Sequence, residues 1–344
     1  MDKYSLNATH LPADIGLPPT APGTEIPSFT FVGIQLEQVR HLIHDYLADS
    51  AGSVDVKPLF DYVTAQHGKM LRPGLVLLSG GCCGKITDTH ITVAAIVEMV
   101  HNATLLHDDV VDDGQIRRGT PTINKLWGNE SAVLLGDYLL SRVFKMSADL
   151  EPPIAKIIAT IAVRVCDGEL RQALQRNNWR LSEAEYIDII TEKSAVFFSG
   201  CCRLGAILAG APNAQVSALT DFGLDIGIAF QITDDLLDIT GSQNQLGKNT
   251  DKDAVKSRLT LPVIHLLSVL DQTTRKKAHD LLHSSAQSKD TLKEMLFSFG
   301  SLTYARDKAL EFVARATEHL NDVPSSAAKD ALIEVAHFTA QRTV

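Results

Sequence analysis

The chain has 344 residues, 45% of them hydrophobic and 21% charged, with a net charge of −9, and is long enough to bury a sizeable core. An acidic balance of this size leaves no basic stripe for a phosphate backbone, so nucleic acid is excluded as an expected partner. No apolar run reaches the ~18 residues of a membrane span, and Met1-Asp2-Lys3 does not begin a secretory leader; a cytoplasmic location is expected.

Residues 1–30 hold Pro12, Pro18, Pro19, Pro22 and Pro27 and read as an extended arm. Over 31–344 the apolar spacing is helical, without period-two alternation bounded by hairpin turns, which predicts one all-α domain. Helices are predicted over 34–49, 56–67 and 72–83, and then over 88–111, whose apolar run ends in Asp108-Asp109-Val-Val-Asp112. Further helices are predicted over 129–149, 153–176 and 182–210. Ser182 with Glu185 makes a capping box for the last of these, and Lys193 interrupts its otherwise apolar middle. The helix over 214–240 closes on the same acidic pattern as 88–111, here Asp234-Asp235-Leu-Leu-Asp238. Helices over 258–269, 273–285, 288–297, 301–320 and 325–341 complete the chain, and breakers such as Gly84, Gly114, Gly128, Pro152-Pro153, Pro212 and Pro324 fall between elements. The five cysteines show no metal-ligand spacing and read as core or near-core thiols in a reducing compartment. Gly223 and Gly227 read as a close helix contact, since Asp225 between them rules out a lipid-facing surface.

The repeated acidic pattern carries the chemistry. Residues three and four apart share a helix face, so the first and third carboxylates of each set point the same way. Three carboxylates at a helix C-terminus repel one another and the negative end of the dipole unless a cation sits among them. Hard oxygen ligands offered one or two at a time suit Mg2+, which keeps waters and is shared with substrate phosphates. Two such sets about one cavity would clamp two or three ions around a diphosphate. Cations surround them in sequence: Lys69 and Arg72 one helical turn apart, Arg117-Arg118, Lys193, and Lys248 after Gly247. Arg binds diphosphate through its planar fork and Lys as a point charge. The stretch Gly241 to Lys248 is not a P-loop, because Gly241 and Gly247 are wrongly spaced and Asn249 stands at the hydroxyl position. His101 lies two turns above Asp108 on the same face.

The ordered blocks Gly68-Lys69-Met-Leu-Arg72-Pro73, Glu98 to Asp112, Arg117-Arg118-Gly119 and Gly136-Asp137 resemble the trans-isoprenyl diphosphate synthases. The later blocks Gly168-Glu169-Leu, Lys193-Ser194-Ala195, Phe230-Gln231-Ile-Thr-Asp234-Asp235-Leu-Leu-Asp238 and Thr260-Leu261-Pro262 continue the resemblance in order, over roughly 35–340. It implies an isoprenoid synthase fold, with long helices around a central active-site cavity, and a homodimer. It implies that Asp108, Asp109, Asp112, Asp234 and Asp238 hold Mg2+ on an allylic diphosphate contacted by Arg117, Lys193 and Lys248. Lys69, Arg72, His101 and Arg118 would bind isopentenyl diphosphate, while Ser194 and Gln231 would face a transient cation. Ser194 stands where the family commonly has Thr and keeps the hydroxyl; Arg258 stands where Lys is common. In this family the residues just before the first acidic set floor the elongation cavity. Here these are Ala103, Thr104 and Val100, and no Phe or Tyr occurs between Ile91 and Asp108. The expected product is therefore a medium- or long-chain all-trans polyprenyl diphosphate, octaprenyl-like, with at most peripheral membrane contact for its release. Ile161 or Val165 on a neighbouring helix could set the floor instead. A farnesyl or geranylgeranyl diphosphate synthase is the nearest alternative; a non-catalytic partner subunit would be expected to have lost one acidic set, as a terpene cyclase would have a mixed second one.

Overall fold

The computed structural model describes residues 27–48, 56–65, 68–176, 178–240, 259–283 and 288–341. A 3-10 turn, Pro27–Val32, leads into α1 (Gly33–Ala48), α2 (Lys57–Ala65), α3 (Leu71–Cys83) and α4 (Asp88–Val111). A short hairpin, β1 (Ile116–Arg117) and β2 (Thr120–Pro121), pairs Arg117 with Thr120 and turns the chain into α5 (Ile123–Ala148) and α6 (Pro152–Leu174). Next come α7 (Glu183–Ile190), one π-helical turn (Thr191–Ala195), α8 (Val196–Leu208) and α9 (Asn213–Thr240). The chain ends in α10 (Leu261–Val269), α11 (Gln272–His283), α12 (Ser288–Ser298), α13 (Ser301–His319) and α14 (Ala327–Gln341). All-α architecture is what the 3.6-residue periodicity demanded.

The main core forms around α8, whose first two turns are buried on every side: Val196 to Cys202 are all buried, Phe198 completely, and Arg203 is the first exposed residue. It packs against α3, α6 and α9. Backbones meet closely there because the contact residues are small. A Cβ on Gly227 would sit 2.5 Å from the Ala195 Cα, and one on Gly223 would sit 2.7 Å from the Phe198 carbonyl, so this pair is a helix contact as its spacing predicted. A smaller core gathers Leu266, Leu270, Ala278, Leu282, Leu292 and Leu296 from α10, α11 and α12, with Trp179 and Ile239 against it.

Three local expectations change. The predicted helix 182–210 is two helices with a π turn between them, a device that periodicity does not reveal because it adds a single residue. The helix predicted from 129 begins at Ile123 and kinks at Gly128, whose φ is 87°. Cys166 is exposed, not near-core, since α6 turns that face outward; Cys82, Cys201 and Cys202 are buried as expected. The capping box is present: the Ser182 N–H donates to Glu185 Oε2 at 2.8 Å and the Glu185 N–H to Ser182 Oγ at 3.3 Å.

Candidate active site

The last turn of α4 presents the first acidic set. Asp108 is half-buried, and its carboxyl is pushed up to about 6, chiefly by burial and then by the neighbouring Glu169, against the pull of Lys193 and Arg117. Asp112 caps the helix, with its N–H on the Asp108 carbonyl. Asp109 differs from both. It is buried, and Arg117 grips it through Nε at 2.9 Å to each oxygen and a terminal nitrogen at 2.7 Å. Its carbonyl accepts from the Gly114 N–H and from Asn124 Nδ2, so the loop after α4 is tied back to the helix it leaves. Asp109, which the resemblance counts with Asp108 and Asp112 among the metal ligands, is held here by the hairpin arginine, and Asp112 pairs with Arg176 at 3.4 Å.

Across the cavity, α9 presents the second set. Asp235 is the counterpart of Asp109 and is likewise engaged, accepting from Tyr186 Oη at 2.7 Å and from Gln231 Nε2 at 3.0 Å. Burial raises its carboxyl to about 6; the two hydrogen bonds pull the other way, and Asp238 and Asp234 add to the rise. Gln231 in turn accepts from Ser194 Oγ at 2.7 Å. The π turn aims both Lys193 and Ser194 inward. Lys193 Nζ donates to Glu169 Oε2 and Gln172 Oε1, each at 2.9 Å. That approach requires Gly168, where a Cβ would sit 2.2 Å from the Lys193 backbone nitrogen.

Cations crowd the third side. Arg72 lies 4.9 Å over the rings of both Phe197 and Phe198, and its charge lies near those of Glu98, Asp234 and Arg118. Lys69 sits 4.9 Å over Phe338. The Arg118 guanidinium tucks under Gly68, where a Cβ would sit 2.6 Å from it. His101 is held well below its usual range by burial and then by Arg72, Arg118 and Arg117, so it is neutral. Buried Glu98 is pushed up by burial and answered by Arg118, Arg72 and Arg40; with Arg40, Gly68 and Asn102 it lines a cavity of about 30 Å³. Among the described residues, the non-glycine positions with positive φ are Met70 (51°), Asp113 (50°) and Arg118 (53°), all within this shell. Strained backbone of this kind persists where the surroundings enforce it, typically at functional sites.

The structure therefore brings together Arg72, His101, Asp108, Arg117, Arg118, Lys193, Ser194, Gln231 and Asp234, and sets Lys69 at the rim. Lys248 and Arg258 lie outside the described residues. Sequence reasoning missed Glu98, Glu169, Tyr186 and Asp235 as site residues. Glu98, Glu169 and Asp235 stood inside quoted blocks, but nothing in the sequence pairs Tyr186 with a residue 49 positions away. Ala103 is fully buried, Val100 nearly so, and Thr104 is half-buried with its hydroxyl on the His101 carbonyl at 2.8 Å.

Among the described residues, no three acidic, histidine or cysteine side chains converge into a ready-made ion cage. Mg2+ does not need one: it takes one or two carboxylates and completes its octahedron with water and phosphate oxygens. Asp108 and Asp112 offer hard oxygens in that number, so the residues fit such an ion. Carboxylates and guanidinium groups brought this close together can bind a polyanion carried with a divalent cation.

The Polyprenyl synthetase family matches residues 55–298. The octaprenyl diphosphate synthase of Escherichia coli is 33% identical, covering 82% of this chain and 88% of that protein. A short chain isoprenyl diphosphate synthase of Methanothermobacter thermautotrophicus is 31% identical, covering 82% of this chain and 89% of its own. The crystal structure of a polyprenyl synthase from Caulobacter crescentus, complexed with calcium and isoprenyl diphosphate, matches with a TM-score of 0.85 at 30% identity, over 92% of this chain and 97% of that one. This chain belongs to the polyprenyl synthetase family.

Proposed function

We propose that the chain is a head-to-tail trans-prenyltransferase that condenses isopentenyl diphosphate with an allylic diphosphate to a medium- or long-chain product, octaprenyl-like in length. The observation that carries this is the convergence of both signs of charge on one site: Lys193, Arg117 and Glu169 lie close to Asp108, and Arg72 lies close to Asp234, Glu98 and Arg118. Asp108, Asp112, Asp234 and Asp238 would hold the allylic diphosphate through Mg2+, two or three ions in all. Bound there, the ions would supply Lewis-acid stabilisation to the leaving diphosphate. Lys193 and Arg117 add positive charge at the same oxygens. Ionisation leaves an allylic cation beside Ser194 and Gln231, whose oxygens face it, while Phe197 and Phe198 help keep water out. Arg72, Arg118, Lys69 and neutral His101 hold isopentenyl diphosphate with its double bond toward that cation. Its terminal methylene attacks, and loss of a proton, taken by the departing diphosphate, restores a double bond.

Ala103, Val100 and Thr104 carry no bulky ring on the stretch of α4 that would floor a growing tail. Ala103→Phe is expected to shorten the main product while keeping turnover within about threefold of wild type. Purified protein with Mg2+, labelled isopentenyl diphosphate and farnesyl diphosphate should give a ladder ending at six to ten isoprene units. A ladder ending at three or four would assign a short-chain synthase, and unchanged length in Ala103→Phe would move the floor elsewhere. The homodimer is supported by unpaired apolar faces on adjacent helices: Val133 and Phe144 on α5, and Val163, Leu170 and Leu174 on α6, the last 84% exposed. Their spacings of 7 and 11 put each set on one helix face. Sedimentation at micromolar concentration reporting a monomer would remove this part. The buried free thiols suit the cytoplasm.

A further inference from the structure

The π turn, α7 and α9 are joined by one chain of hydrogen bonds that ends at Ser194 and Gln231. Tyr186 Oη donates to Asp235 Oδ2 at 2.7 Å, Gln231 Nε2 donates to Asp235 Oδ1 at 3.0 Å, and Ser194 Oγ donates to Gln231 Oε1 at 2.7 Å. Tyr186 and Ser194 are buried, and Gln231 and Asp235 are half-buried.

The order of donors has a chemical consequence. A primary amide has two ends of nearly equal size, one a donor and one an acceptor, and either can turn toward a neighbour. An ionised carboxylate only accepts. Asp235 therefore takes the NH2 end of Gln231 and turns its oxygen toward Ser194 and the cavity. A cation that develops there meets an oxygen dipole and not an N–H, and the difference is one of sign. Tyr186 keeps this arrangement fixed by donating its hydroxyl to the other oxygen of Asp235, which holds the carboxylate against the Gln231 amide.

We infer that Tyr186 and Asp235 are positioning residues: they fix which end of the Gln231 amide faces the allylic cation. This rests on the prenyl-transfer reading of the cavity and assigns it a polarity-setting device.

The test is a pair of substitutions with opposite expectations for polarity and for packing. In Asp235→Asn the new amide gives its oxygen to Tyr186 and its NH2 to Gln231, which must then flip. The expected kcat falls about 100-fold, with KM for isopentenyl diphosphate within about threefold. Adding Tyr186→Phe releases the new amide, which can turn its oxygen back to the Gln231 NH2. The double variant is expected to be about tenfold faster than Asp235→Asn alone, although it has lost one more hydrogen bond. A structural role would make the double variant slower and less thermally stable; a double variant no faster than Asp235→Asn overturns the inference. Tyr186→Phe alone removes one oxygen from a buried ring and is expected to cost about tenfold in kcat with unchanged KM, so unchanged kcat there also overturns it, whether or not Asp235→Asn folds. Wild-type turnover in the same assay separates the two claims: without it the prenyl-transfer reading falls and takes this inference with it, while turnover without recovery sinks the relay alone.

Discussion

The two acidic sets share one pattern and differ in how the middle carboxylate is held. Asp109 is gripped by a full positive charge, the Arg117 fork, at 2.7 to 2.9 Å. Asp235 is held by two neutral groups, Tyr186 and Gln231. A charged fork fixes position and cancels charge in one contact. Neutral donors leave the carboxylate's charge standing, and in a buried setting its carboxyl rises to about 6. The first arrangement ties a loop to a helix; the second orients an amide. Identical motifs thus place identical outer residues, Asp108 with Asp112 and Asp234 with Asp238, while their middle residues serve different neighbours.

The largest expected effect separates outer from middle positions. On the proposed reading, Asp108→Ala removes an ion contact and no core packing, and should lower kcat by about 10³-fold or more with circular dichroism unchanged. Near-normal turnover would show that the outer carboxylates do not carry the ion. Next in size is Asp109→Asn, which weakens the Arg117 fork inside the fold. It should cost about 2–3 kcal/mol of stability by denaturant titration, whereas Asp235→Asn, losing no opposite charge, should cost clearly less. Equal losses would erase the contrast between charged and neutral anchoring.

The smallest effect is one of pH. Asp108 and Asp235 both have carboxyls raised from the usual 3.8 to about 6, so each is harder to ionise folded than unfolded. Their contribution to stability is fully present below pH ~4 and is lost as pH rises through about 6. The melting temperature of metal-free protein should carry that downward slope. Mg2+ with inorganic diphosphate should abolish the Asp108 share only, and Asp235→Asn the other share only. A slope that diphosphate and Mg2+ leave untouched would place Asp108 away from the ion.

Much of this was legible in the chain. The helices at 88–111 and 214–240 were readable because a long apolar periodicity ended in charge, and the capping box at Ser182 announced the start of α7. The outer aspartates followed from helix geometry alone. What remained hidden was lateral. Arg117 could be placed near diphosphate from order in the sequence, but its grip on Asp109 depends on the hairpin returning at a particular angle. Tyr186 carries no signal of its own in the sequence, because its partner on α9 is set by tertiary packing. Glu98, on an otherwise buried face of α4, is intelligible only once Arg72 and Arg118 are seen to converge on it.

The π turn at Thr191–Ala195 joins two helices that answer to different clients. Upstream, Tyr186 must face Asp235; downstream, Gly205 must face the Val76 carbonyl on α3, where a Cβ would sit 2.1 Å away. An α-helix advances about 100° per residue, so the single extra residue of the π turn sets the angular phase between these two faces. Deleting one residue there would leave the composition almost untouched, yet it would rotate the Gly205 face about 100° away from α3 for as long as Tyr186 kept its bond. The turn works as a phase shifter, and the catalytic wall and the structural spine can each keep their own alignment because the helix carries one residue too many.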